Sequence, residues 1–223
     1  MNYQFQFDAV FAAWPLLLKG TWITVQLSLT ATLLGLVVAI FCAWGKTGGP
    51  GWLRFLINAY IEVIRNTPFL VQLFFFFFAL PSIGLRWSPY TAALTAMVVN
   101  LGAYAAEIVR AGIESIPKGQ MEAARSIGMS SGLAMRTVVL PQAVVRMIPP
   151  LGNEFIALIK NSALVSLLTI HDLMHEGQKI ISVSYRSLEV YLAIAVVYFI
   201  LTGVTSLVLR RTELRLRAGG MVQ

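Results

Sequence analysis

Charge and sulfur are both scarce in this chain. Only 12 % of its 223 residues are Asp, Glu, Lys or Arg, about half the share that keeps an ordinary soluble domain wet. One cysteine, Cys42, is present. It can close no internal disulfide, and alone it cannot build a thiolate metal site. No Ser/His/Asp or Cys/His set is placed for catalysis. With 57 % hydrophobic residues and a mean hydropathy of +0.74, a cytosolic enzyme, a secreted disulfide scaffold and a disordered chain are all excluded. The net charge of +7 would suggest nucleic acid in a soluble protein. In a membrane protein it reports loop charges that set orientation.

What the chain does have is long uncharged runs. Lys19 and Lys46 enclose 26 residues without a charge, and Arg65–Arg86, Arg86–Glu107 and Glu189–Arg210 enclose 20 each. A helix needs about 20 apolar residues to cross about 30 Å of hydrocarbon. A fifth run, between Arg146 and Asp172, is interrupted only by Glu154 and Lys160. These runs predict an all-α integral membrane protein, one domain over 1–223, with five spans at about 20–45, 57–80, 88–110, 145–170 and 189–210. Pro68 should kink the second span or form its first turn, and Pro149-Pro150 should open the fourth. Runs this long, without period-two alternation, exclude a β-barrel.

Lys and Arg number 1, 3, 1, 5, 2 and 4 in successive loops and tails, with Arg65, Arg110 and Arg146 counted in the loops beside them. The alternation predicts an outer N-terminus, an inner C-terminus and inner loops at 46–56 and 111–144. The opening stretch is no cleavable signal, because Asp8 stands where a basic cluster belongs. On this assignment the inner side holds twelve basic and five acidic residues, which accounts for the whole +7.

The loop 111–144 is the one sizeable excursion on the inner side. Its sequence predicts a short helix around Gln120–Ile127, a turn at Gly128, and a second helix leading back to the membrane, with Pro117 and Pro141 at the two ends. By its residues alone it is equally a connecting hairpin or a docking element. Glu122-Ala123-Ala124, then Gly128, Val138 and Leu140-Pro141, resembles the EAA loop of permease subunits of bacterial ABC importers, with valine for the usual isoleucine. Arg65-Asn66-Thr67-Pro68 resembles the RGTP lead of the second helix in the polar amino-acid branch of that family. Asn153-Glu154-Phe155-Ile156 with Lys160-Asn161-Ser162-Ala163-Leu164 is similar to its NxFI…KDTSL stretch.

The resemblance covers about residues 15–210. It implies a type I importer fold in which the loop is a coupling helix, with Glu122, Ala123, Ala124, Gly128, Leu140 and Pro141 meeting an ATP-binding cassette ATPase dimer. It also implies a second permease chain, same or homologous, and an extracytoplasmic substrate-binding protein. Gly45-Lys46-Thr47 imitates the end of a P-loop, but Ile40 stands where its first glycine belongs. The chain is therefore expected to hold no cofactor, with ATP and magnesium on the partner ATPase.

Charges inside hydrocarbon cost several kcal/mol unless paired or hydrated, so they are functional candidates by default. Glu154 and Lys160 lie about 12 and 21 Å from Arg146 at the helical rise. Glu154 and Asn161, at i and i+7, share a face. Asn100, Tyr104 and Glu107 form a stripe on the third span. One reading makes Glu154, Lys160, Asn161, Asn100 and Tyr104 contacts for an amino-acid zwitterion, with Glu154 on the ammonium and Lys160 on the carboxylate. The other makes the two charges a helix–helix tie, with Lys160 snorkelling outward. Glu107 with Arg110 reads as a structural or gating ion pair. His171 and His175, at metal-binding spacing, read better as part of a solvated interfacial helix where a binding protein would dock, and no metal site is expected.

The sum is a permease subunit of an ATP-driven polar amino-acid importer in the bacterial inner membrane. Two alternatives remain: a secondary transporter driven by an ion gradient, for which five spans without an inverted repeat fit poorly, and a membrane-embedded enzyme.

Overall fold

The computed structural model describes residues 3–218, with side chains through 215. Among them there is no strand. A one-turn helix α1 (Asp8–Ala12) leads into α2 (Trp14–Gly48). The chain returns through α3 (Gly51–Arg65) and α4 (Phe69–Ser82), then crosses again as α5 (Pro89–Glu114). The short α6 (Lys118–Ser126) precedes α7 (Ser131–Leu168), α8 (Leu173–Ser184) and α9 (Ser187–Ala218). The alternation puts α6 and the Gly49 turn at one end of the bundle, and α1, Trp87 and α8 at the other.

The core is built on α5. In its most apolar stretch 56 % of residues are buried, against 6 % for α9. Sequence explains the difference: Ala92, Ala93, Ala96, Gly102, Ala103, Ala105 and Ala106 give α5 a surface of small residues, which lets α2, α3 and α7 approach closely. Leu27, Leu73, Met97, Leu101 and Leu158 fill the layer between them. α9 shows Val196, Phe199, Ile200 and Leu207 outward, the lining expected of a surface in lipid.

The expectation of one helix over 57–80 is corrected. The span is two helices meeting at a 111° bend. Pro68 offers no amide and pushes Thr67 out of the helical region, so α3 ends before it. The carbonyls left open at the break are satisfied by side chains. Gln72 Nε2 donates to Ile64 O at 2.8 Å and to Thr67 O at 3.1 Å, and Asn66 Nδ2 donates to Glu62 O at 2.8 Å. In the Phe74–Phe78 run the helix widens to a π turn. Phe75 and Phe78 face outward there, while Phe76 and Phe77 join the core.

α7 begins earlier than 145 and contains Pro149 and Pro150 without breaking; it opens through a π turn at Met135–Val139 and ends in a 3-10 stretch at Ser162–Leu168. α8 corrects the solvated reading of its stretch. Leu173, Gly177 and Ile180 are buried against α2 and α9, and His171 Nδ1 meets the buried Glu176 at 2.7 Å. Burial works to raise the Glu176 carboxyl, but His171 and Lys179 outweigh it and hold the group below its ordinary range. The N-terminal segment is tied to the far end of the chain. Tyr3 hydroxyl donates to Glu189 at 2.6 Å, the Gln6 amide donates to the same carboxylate at 3.0 Å, and Arg186 reaches Gln6.

Candidate functional site

The break in the second span sets Arg65 at the end of α3, facing α5. The Arg65 guanidinium lies 5.6 Å from the centre of the Tyr104 ring, and Tyr104 hydroxyl points at Arg65 O, 3.5 Å away. At the helical rise this is about 15 Å in from Glu114, deep enough that a lone cation would be costly. Glu154 on α7 is half-buried and lies close enough for the Arg65 charge to attract its carboxylate.

From this level toward α6 runs a cavity of about 570 Å³, lined by Lys46, Asn58, Ile61, Glu62, Arg65, Asn66, Tyr104, Glu107 and Arg110. Three cations and two carboxylates line it, so its wall offers both signs with a slight positive excess. Arg110 Nε donates to both Glu107 oxygens at 3.1 Å, and its other end pairs with Glu114. The ion pair expected of Glu107 and Arg110 is present, in the lining of this cavity.

The five residues expected to contact substrate do not converge. Tyr104 lines the cavity, and Glu154 is in electrostatic reach of its Arg65. Asn100 is buried, and its Nδ2 donates to Gln72 Oε1 at 2.9 Å, so it holds the break in shape from behind. Lys160 is on another side of α7. It lines a separate cavity of about 300 Å³ with Ala163, Met174, Tyr191, Ile194, Ala195 and Tyr198. Asn161 is half-buried where α7 tightens to 3-10 geometry. Arg65 was missed as a site residue because its charge was counted with the loop. The signal that could have found it is the proline three residues later, inside an apolar run.

At the α6 end, Gly128 has φ +88°. The Met129 amide donates to Ala124 O at 3.2 Å and the Gly128 amide to Arg125 O at 3.1 Å, the paired bonds of a left-handed helix terminus. A Cβ there would meet nothing within 4 Å, so conformation, not space, asks for glycine. Glu122 and Ala123 face outward, whereas Ala124 is buried within its own chain. Leu140 and Pro141, partly buried, start the regular part of α7. Ile127, 76 % exposed beside the turn, is an apolar knob on this end of the chain.

Comparison with known proteins covers most of the chain. The family model for the inner membrane component of binding-protein-dependent transport systems matches residues 32–218. The chain is 42 % identical over 217 residues to the glutamine transport system permease protein GlnP of Escherichia coli K12, covering 96 % of this chain and 99 % of that one. It is 38 % identical over 207 residues to the L-cystine transport system permease protein TcyB of Bacillus subtilis, covering 91 % and 87 %. Among solved structures, an amino acid ABC transporter with histidines superposes with a TM-score of 0.91 at 39 % identity, covering 96 % of this chain and 100 % of that one. The inward-facing MetNI methionine ABC transporter, at 21 % identity and a TM-score of 0.75 over 90 % and 96 %, shares the fold.

Proposed function

Because the chain belongs to the family of inner membrane components of binding-protein-dependent transport systems, we propose that the cavity at its broken span is where a polar amino acid meets this subunit. The chain is a multi-pass inner-membrane permease subunit of an ATP-driven amino-acid importer, and ATP is hydrolysed on a separate subunit. Permeases of this family work with an ATPase and a binding protein. The ion-gradient transporter and membrane-enzyme readings fall away.

The observation that carries the site is the position of Arg65, a cation held inside the bundle by the ending of α3, over Tyr104 and in reach of Glu154. An amino-acid zwitterion needs one fixed charge of each sign. Glu154 suits the ammonium, as its sequence position suggested. Arg65 takes the carboxylate in place of Lys160, with a fork that fits two oxygens at once. Asn161, on the Glu154 face, stands where it could reach a side chain, and Asn100 acts through Gln72.

Five spans per subunit pair with a second permease chain to complete the pathway. The α6 end faces the cytoplasm with the C-terminus, and the N-terminus lies outside. At the cytoplasmic end α6 docks an ATPase dimer that carries ATP and magnesium. Closure of the ATPases draws the two α6 helices together and opens the pathway outward; hydrolysis resets it. The substrate path itself is read as needing no cofactor, metal or nucleic acid.

The test is Glu154→Gln in the assembled complex in liposomes. ATPase activity without substrate should stay near wild type, while the amino-acid concentration for half-maximal uptake rises at least ten-fold. Arg65→Gln should do the same. Uptake by both variants at unchanged half-saturation would place the site elsewhere.

A further inference from the structure

One side of α3 carries polar groups at a depth where lipid cannot cover them. Asn58, Glu62 and Arg65, at i, i+4 and i+7, share that side, and Asn66 follows at the helix end. All four line the cavity of about 570 Å³, and all four are exposed in the single chain. Tyr60 fixes their level, because its hydroxyl donates to Val99 O at 2.6 Å. Val99 stands ten residues from Pro89 and 15 from Glu114, about 15 and 22 Å from the two ends of α5 at the helical rise. Glu62 therefore sits near mid-span. Phe55, Leu56 and Val63, on the adjoining side of α3, are exposed as well. Hydrocarbon suits these three, but a carboxylate or guanidinium at the same depth must face water or a partner.

Glu62 finds no partner in its own chain. Among the described residues its carboxylate makes no hydrogen bond or ion pair. Arg65, one turn on, is turned instead to the Tyr104 ring, and Arg110 is spent on Glu107 and Glu114. Lys46, in the last turn of α2, and Arg54, in the first turn of α3, lie nearer the Gly49 turn. A stripe with one unpaired carboxylate and one cation is complementary to itself. Under a two-fold axis along the membrane normal, each group meets groups of its own level on the other copy. Glu62 and Arg65 differ by only about 4.5 Å of rise, so the cation that answers Glu62 is the same chain's Arg65 in a second copy. The outward side of α9 is the contrast. It shows Val196, Phe199 and Ile200, has no charge between Glu189 and Arg210, and packs on α7 and α8 while α3 packs on α2 and α5.

We propose that a second copy of this chain covers the α3 stripe, placing Glu62 of the partner subunit beside Arg65 and closing the cavity into a channel between the two copies. This rests on the reading of that cavity as the substrate path. The path is then shared, and Arg65 meets a carboxylate from across the axis when no amino acid is bound.

The test is cross-linking of the assembled complex in nanodiscs, one complex to a disc and without substrate. In a Cys42→Ala background, Glu62→Cys with Arg65→Cys should give a covalent permease dimer on mild oxidation, released by reductant. Val196→Cys with Ile200→Cys on α9 should stay monomeric. Nitroxides on Glu62→Cys alone should lie within about 20 Å of each other, two helix diameters, and those on Phe199→Cys farther apart. The α3 positions are exposed, so these changes remove no packing. No covalent dimer from the α3 pair, or label distances beyond that range, would overturn the proposal, as would an equal yield from the α9 pair. Neither readout involves an amino acid, so such a failure beside a raised half-saturation in Glu154→Gln would remove the shared wall and leave the substrate site standing.

Discussion

Individual residues in this chain are decided by what surrounds them more than by their type. Asp172 is the clearest case. Burial pushes its carboxyl up to about 7, against the opposing pull of the His175 amide. A folded value above the unfolded one near 4 means the protonated group favours the fold. That contribution is complete below pH about 4 and is lost as the pH rises through 7, with a slope of at most about 1.4 kcal/mol per pH unit. Wild type should therefore lose stability relative to Asp172→Asn between pH 5 and pH 8, measured as the difference of their unfolding midpoints. A constant difference over that range would show the carboxyl to be unshifted. Gly128 illustrates the opposite case of a residue legible in advance. A glycine after a short helix and before a second one asks for a left-handed turn, and the turn is there. Lys160 was legible in depth but not in azimuth: counting 1.5 Å per residue gives its level, and only packing decides which side of α7 it leaves by.

At the scale of elements, the charge-free runs marked where the chain is helical in the membrane, because hydrocarbon tolerates little else. Length alone could not report the break in the second span. A proline within an apolar run reads equally as a first turn, a kink or a rupture, and the outcome rests on partners distant in sequence. Gln72 is that partner. It satisfies two carbonyls at the end of α3 and accepts from Asn100, 28 residues away. Removing its amide strands several buried polar groups at about 1–3 kcal/mol each. Gln72→Leu should lower the unfolding midpoint sharply, and Gln72→Ala with Asn100→Ala should destabilise by less than the sum of the two single changes. Strict additivity in that cycle would show that the two amides do not act as a unit.

For the whole molecule, the two ends of the bundle carry different work. The buried face of α8 packs one end together, the broken span opens the middle, and α6 offers an exposed edge at the other. The sequence motif marked the loop proposed to meet the ATPase, but it could not tell which alanine faces out. Ala124 serves the fold, and Ile127 is the apolar group left on the surface. Ile127→Asp should leave the permease folded and inserted while cutting substrate-stimulated ATPase activity of the complex at least five-fold. Full stimulation in that variant would remove Ile127 from the contact.

The tie between the N-terminal segment and Glu189 also sets a clock. Gln6 and its carboxylate partner are 183 residues apart, and a ribosome adding about 5–20 residues per second delivers the partner on the order of ten seconds or more after Gln6 has emerged. Until then the Gln6 amide and the Tyr3 hydroxyl have no Glu189 to meet. Closure of this end is thus a late event of biosynthesis, and a chain halted before α9 is left with its first residues unfastened.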